Sequence, residues 1–165
     1  LQFARPSTPQ LTVVPAERPL REAQMLMRPD LEKNGIKLVV AEAVKADISI
    51  DPEQIKQVLL NLIQNAADSI GRDGTVTLRA RRDEKRLNDH QTEVVILEVS
   101  DTGKGIPPEV EKRLFDPFFT TKDTGTGLGL SIAARIVEKH RGALQYQKQA
   151  DCGVTFGIIL PLHAP

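Results

Sequence analysis

The segment DPEQIKQVLLNLIQNAADSI, residues 51–70, limits what this chain can fold into more than any other stretch. At about 100° per residue, Ile55, Val58, Leu59, Leu62, Ile63, Ala66 and Ile70 fall on one stripe, the pattern of a helix laid against a core. Asp51 is placed to cap that helix, and Pro52 suits its first turn. A second stripe, Gln54, Gln57, Asn61, Asn65 and Asp68, is polar and rich in carboxamides. Asn is a mediocre helix former, because its side chain competes for backbone hydrogen bonds. Asn61 and Asn65, at i and i+4, point the same way. They fit either a solvated face or one that offers neutral oxygen donors to a ligand or a hard cation such as Mg²⁺.

Around this helix the chain alternates helices with strand-like pairs. Four prolines in the first twenty residues mark a linker with one extended stretch at LTVV. REAQMLMRPDLEKNG reads as a helix ended by Asn34-Gly35. IKLVVAEA and ADISI read as strands joined by a short turn. GTVTLRARR and EVVILEVSD read as two more, separated by the charged loop DEKRLNDHQ. LGLSIAARIVEKHRG is helical, with Lys139, His140 and Arg141 at the negative end of its dipole, and ALQYQKQ and VTFGIILPL close the chain as strands. Hairpin-like adjacency with interspersed helices predicts an α+β two-layer sandwich, a mixed or antiparallel sheet with helices on one face.

The 165 residues suffice for one domain with a proper core. Equal numbers of basic and acidic residues, 22 of each, give no electrostatic case for nucleic acid or an anionic membrane, though a small anion needs only a local site. The single cysteine, Cys152, excludes an internal disulfide and fits a reducing compartment, hence a cytoplasmic setting. No apolar run approaches the roughly 20 residues that span a bilayer.

Three further stretches carry chemistry. DTGKGIP, residues 101–107, follows a strand; its glycines allow close backbone approach, and Asp101 can point into the resulting pocket as an acceptor. GTGLGLS, residues 125–131, places alternate glycines at the entrance to a helix, where free N–H groups and the dipole suit phosphates. Between them, FDPFFTTK holds Phe115, Phe118 and Phe119, anchors for a lid that would bring Thr120, Thr121 and Lys122 near the phosphates. The irregular stretch from about 102 to 126 is long for a compact domain and reads as that lid, expected to be mobile without nucleotide over roughly 108–125. There is no Walker A loop, no dinucleotide-fold setting around the glycines, no protein-kinase catalytic loop and no zinc-like Cys/His cluster.

In order, NLIQNAADSI, DTGKGIP, FDPFFTTK and GTGLGLS resemble the N, G1, F and G2 boxes of the catalytic and ATP-binding domain of two-component sensor histidine kinases, and GVTFGIILPL resembles its closing strands. The resemblance implies the Bergerat fold shared with gyrase, MutL-type and heat-shock chaperone ATPases, with ATP and Mg²⁺ as ligands. By position it implies that Asn65 ligates Mg²⁺, Asn61 supports the same face and Asp101 accepts from the adenine amine. Thr155 reaches the same corner, and Gly125, Thr126, Gly127, Leu128, Gly129 and Leu130 hold the phosphates. Asp68, Gly103, Lys104, Gly105, Ile106, Phe115, Thr121 and Lys122 complete the implied nucleotide contacts, with Asn61, Asn65 and Lys122 taking the catalytic roles. The lid would run from about 106 to 126.

Hydrolytic relatives carry a glutamate one turn before the magnesium asparagine; here that position is Asn61, and an amide is no general base at neutral pH. Phosphoryl transfer to another nucleophile is therefore favoured over hydrolysis, and the resemblance implies that this nucleophile is a histidine, its ring nitrogen attacking the γ-phosphate in line. His90, His140 and His163 all lack the flanking context of the family's acceptor. LQFARP resembles the end of the dimerisation helix that would carry it, so residues 1–10 are expected to end that helix or form a linker, and 11–165 the catalytic domain. Expected partners are a histidine-containing dimerisation domain of the same parent and, indirectly, a cognate response regulator, with the fragment monomeric and the parent a homodimer, one that could be anchored in the inner membrane. The alternatives are a serine protein kinase of the same fold, as anti-sigma factors are, and a nucleotide-binding module without catalysis.

Overall fold

A computed structural model describes residues 7–115, 129–149 and 153–163. In chain order the elements are β1 (Thr12–Pro15), α1 (Glu17–Glu32), β2 (Ile36–Ala43), β3 (Asp47–Ile50), α2 (Pro52–Ile70), β4 (Gly74–Leu87) and β5 (His90–Asp101). A short α3 (Pro108–Glu111) follows, then α4 (Gly129–Lys139), β6 (Ala143–Lys148) and β7 (Val154–Pro161).

The main sheet runs β2-β4-β5-β7-β6, with β2 parallel to β4 and all other neighbours antiparallel. Period-2 alternation sends Val76, Leu78, Val95, Leu97, Val99, Phe156 and Ile158 to one face. There they share a buried cluster with Leu20 and Ala23 of α1, Leu59, Leu62 and Ile63 of α2, and Ile136 and Val137 of α4. Each such aliphatic side chain removed from water contributes about 1.5–3 kcal/mol. Among the described residues the opposite face holds a small cluster of Val94, Ile96 and Ile159, beside the ion pair from Arg81 Nε to Glu98 at 3.0 Å. This is the expected α+β sandwich with a mixed sheet and helices on one side.

Three local expectations are corrected. β2 and β3 do not form a hairpin. β2 pairs in parallel with β4 through the α2 crossover, while β3 pairs antiparallel with β1 in a separate two-stranded ribbon. Parallel pairing needs a helical crossover, and α2 supplies it. The segment 83–91 is not a loop: β4 runs to Leu87, β5 starts at His90, and Asn88 and Asp89 turn between them at φ 51° and 66°. Positive φ at both central residues is the backbone of a two-residue hairpin turn. The charges lie on paired strands, where Arg82 meets Glu93 at 3.4 Å and Arg81 meets Asp83 at 2.8 Å. Finally, α1 begins at Glu17 rather than Arg21, because Pro19 sits in its first turn, where no N–H partner is needed.

Residues Ser7–Gln10 lie outside regular secondary structure and dock on the start of α2. The Gln10 N–H donates to Asp51 Oδ2 at 2.8 Å, and Gln54 Nε2 donates to the Ser7 carbonyl at 2.7 Å. No helix among the described residues is long and apolar enough to cross a membrane.

Candidate functional site

The site is organised by α2. Asp51 caps it as expected, its Oδ1 accepting from the Glu53 and Gln54 N–H groups at 3.1 Å each. A cap of this kind contributes about 1 kcal/mol. The polar stripe divides into two functions. Gln54 is buried and holds the N-terminal segment, whereas Asn61 and Asn65 lie half-buried one turn apart. Asp68 is exposed and accepts from Gln64 Nε2 at 3.0 Å.

Asn61 meets the start of α4. A Cβ added to Gly129 would stand 2.8 Å from both Oδ1 and Nδ2 of Asn61. The glycine therefore lets the helix that follows the glycine-rich loop approach the carboxamide face of α2. Leu130, next along α4, packs partly buried on the main core. Two stretches separated by some sixty residues in sequence thus converge, as the motif order implied. Thr121, Lys122, Gly125, Thr126, Gly127 and Leu128 lie outside the described residues, as do Phe118 and Phe119.

Asp101 closes the other side. It is the last residue of β5, only 8% exposed, and its Oδ1 accepts from the Gly103 N–H at 2.8 Å. Burial pushes its carboxyl above the ordinary 3.8, against the pull of the Gly103 and Val154 N–H groups. A buried carboxylate with spare acceptor capacity is suited to a ligand donor. On the adjacent strand β7, Thr155 is buried opposite Ser100, the two hydroxyls 2.7 Å apart, and the Gln149 amide donates to Thr155. Gly103 has no room for a side chain because Ser69 of α2 packs directly on it, so the loop after β5 is tied to the same helix that carries Asn61 and Asn65. Gly105 sits at φ 80°, where other residues are strained.

Beyond that turn, Lys104 is exposed, and Ile106 and Leu114 pack partly buried against the core. Phe115, expected as a lid anchor, is 37% exposed; Leu114 makes the core contact instead. Glu111 of α3 pairs with Lys148 of β6 at 3.0 Å. Beside them the Tyr146 hydroxyl is buried with no hydrogen-bond partner among the described residues, and its ring is tilted against Phe156 at 5.7 Å. Burial, then the Glu111 charge, raise the Tyr146 hydroxyl against Lys148.

Sequence reasoning missed Ser69, Ser100, Gln149 and Tyr146. Ser69 lies in NLIQNAADSI one turn beyond Asn65, so its place near the carboxamides is legible from helical spacing. The other three depend on strand register, which no local pattern carries.

His140 follows α4 and is buried. Its Nδ1 lies 2.8 Å from the Ile136 carbonyl, and its Nε2 accepts the Asp51 N–H at 3.1 Å. Both ring nitrogens are committed to the backbone, in keeping with the structural role expected for it.

The donor chemistry at Asn61 and Asn65 fits Mg²⁺, which takes few protein oxygens and retains waters and phosphate oxygens. Among the described residues there is no group of three or more His, Cys, Asp or Glu side chains able to hold a metal.

Comparison with known proteins agrees with this geometry. The chain is 36% identical over 165 residues to the sensor histidine kinase ZraS of Salmonella typhi, covering 99% of this chain and 34% of that protein. It spans about a third of the length of that relative. The nucleotide-free catalytic domain of histidine kinase ThkA superposes with a TM-score of 0.79 at 31% identity, covering 92% of this chain and 95% of that one. Full-length ShkA, crystallised in complex with AMPPNP, gives 0.81 at 29% identity, covering 99% of this chain and 34% of that one. The profile described as "Histidine kinase-, DNA gyrase B-, and HSP90-like ATPase" matches residues 50–164, and the chain belongs to that family.

Proposed function

We propose that this domain binds Mg-ATP and serves as the catalytic part of a sensor histidine kinase, transferring the γ-phosphate to a histidine on a separate dimerisation domain, from which a cognate response regulator receives it. One observation carries the reading: α2 meets the loop after Asp101 through Ser69 and Gly103, and the start of α4 through Asn61 and Gly129, an arrangement suited to a purine at the first and phosphates at the second.

Asp101 would accept from the exocyclic amine of adenine. Guanine presents a carbonyl there, leaving a buried carboxylate facing an acceptor; mismatches of that kind discriminate by about 10⁴. Thr155, held by Ser100, would complete the corner. Asn65 would hold Mg²⁺, which when bound offsets phosphate charge, and Gly129 and Leu130 would bring the start of α4 to the phosphates. Lys122, Thr121 and the residues 125–128 extend this set by sequence position alone.

Asn61 lacks a site that accepts a proton at neutral pH, which disfavours activation of water and favours transfer to an external nucleophile. His140 is engaged on both nitrogens, so the acceptor belongs elsewhere. The test is incubation with labelled ATP and a histidine-bearing dimerisation domain. Acid-labile label on that domain supports the reading; acid-stable label favours a serine kinase, and tight ATP binding without transfer favours a non-catalytic module.

A further inference from the structure

Helices α2 and α4 run past each other in opposite directions; their inner faces share the main core, and two polar contacts join them. Near one end Asn61 lies against Gly129; at the other the Asp51 N–H donates to His140 Nε2 at 3.1 Å. The ten residues between Asp51 and Asn61 rise about 15 Å, and the eleven between Gly129 and His140 about 16 Å, so the two contacts lie at matched heights. Between them is a cleft of about 150 Å³, lined by Gln57, Val58 and Asn61 from α2 and Gly129, Ile132 and Ile136 from α4. Val58, Ala133 and Ile136 along it are buried in the main core, and the two polar contacts add directional constraints at its ends.

We infer that Asp51 and His140 are positioning residues for the nucleotide site: their hydrogen bond sets the height of α4 against α2, and so the placement of the phosphate-facing end of α4 over Asn61 and Asn65. The same carboxylate ties in the N-terminal segment, since Asp51 Oδ2 accepts the Gln10 N–H at 2.8 Å while Gln54 holds Ser7. The His140 ring is oriented for this by its Nδ1, which donates to the Ile136 carbonyl one turn back and leaves Nε2 as an acceptor. Binding at the far end of the helix pair and docking of Ser7–Gln10 are then linked: each favours the same arrangement of the two helices, and the coupling is reciprocal.

The inference rests on the Mg-ATP reading above, and its test separates the two. Two variants of the whole chain divide the functions of the ring: His140→Gln keeps an acceptor near the Nε2 position, while His140→Asn keeps the donor to Ile136 and loses that acceptor. Val94→Ala, on the opposite face of the sheet, serves as a control for lost stability. Calorimetric titration with a non-hydrolysable Mg-ATP analogue should show wild-type affinity for Val94→Ala, near-wild-type affinity for His140→Gln, and about tenfold weaker binding for His140→Asn, within the usual range for coupled sites. In the wild type the analogue should also slow amide exchange at Gln10, and in His140→Asn it should not. Equal affinity in the two histidine variants, or weakening in Val94→Ala that matches His140→Asn, overturns the positioning role alone. If either histidine variant does not fold, two-bond nitrogen–proton spectra of the wild type decide: a proton on Nε2 overturns the role, and one on Nδ1 with analogue-slowed exchange at Gln10 upholds it. Failure of the wild type to bind the analogue overturns the Mg-ATP reading and this inference together.

Discussion

The carboxamide of Asn61 lies against the backbone of Gly129, with 2.8 Å from either amide atom to the place a Cβ would occupy. Gly129→Ala must displace that carboxamide or push α4 away from α2. Overpacking of this kind costs about 1–3 kcal/mol. The variant should unfold at lower temperature and bind Mg-ATP more weakly, and adding Asn61→Ala should restore stability by making room. A double-mutant cycle on thermal unfolding reads this directly, and additive effects would separate the two residues.

Asp101 contributes through its charge and its burial. Asp101→Asn should weaken ATP binding by about 1.5–3 kcal/mol, the range for a hydrogen bond to a charged group. Isothermal titration measures it; an unchanged dissociation constant would remove Asp101 from the pocket.

The empty protein has its own signature of the same residue. Because burial raises the folded-state value for Asp101 above 3.8, the folded chain holds this proton more tightly than the unfolded one. Its contribution is fully present below pH 3.8 and is lost as pH rises through the folded value. Asp51 behaves oppositely. Burial raises it, but N–H groups of Gln10, Gln54 and Glu53, with His140, bring it below 3.8. Its contribution is present above pH 3.8 and is lost as pH falls through the folded value. Without nucleotide, Asp101→Asn should therefore gain stability relative to wild type as pH rises above 3.8, as followed by denaturant unfolding at successive pH values. A difference that does not change with pH contradicts the assignment.

Tyr146 offers a test of the packing beside α3. Its hydroxyl is buried without a partner among the described residues, so Tyr146→Phe removes a desolvated group and keeps the ring against Phe156. The change should be neutral or stabilising by up to about 1 kcal/mol. A loss beyond that in chemical denaturation would show that the hydroxyl is bonded in solution.

What could be read from the sequence divides along a physical line. The boundaries of α2, its Asp51 cap and the two asparagine positions follow from local periodicity and capping chemistry, and the structure reproduces them. The pairing of β2 with β4, the location of β3 beside β1 and the length of β4 depend on contacts between distant residues, which local patterns do not encode. The charged run 83–91 looked like a loop because its residues are polar, yet cross-strand ion pairs and an Asn-Asp turn make it a hairpin. At the site, the glycines announced close approach without saying to what; only the fold identifies Ser69 and Asn61 as the neighbours of Gly103 and Gly129.

If Asp101 reads the purine while Asn65 holds the cation, a crystal structure with a non-hydrolysable Mg-ATP analogue will show both contacts. The account predicts the adenine amine within hydrogen-bond reach of the Asp101 carboxylate and Mg²⁺ about 2.0–2.1 Å from the Asn65 carboxamide oxygen. An analogue lodged elsewhere, with neither side chain touching it, would contradict the account.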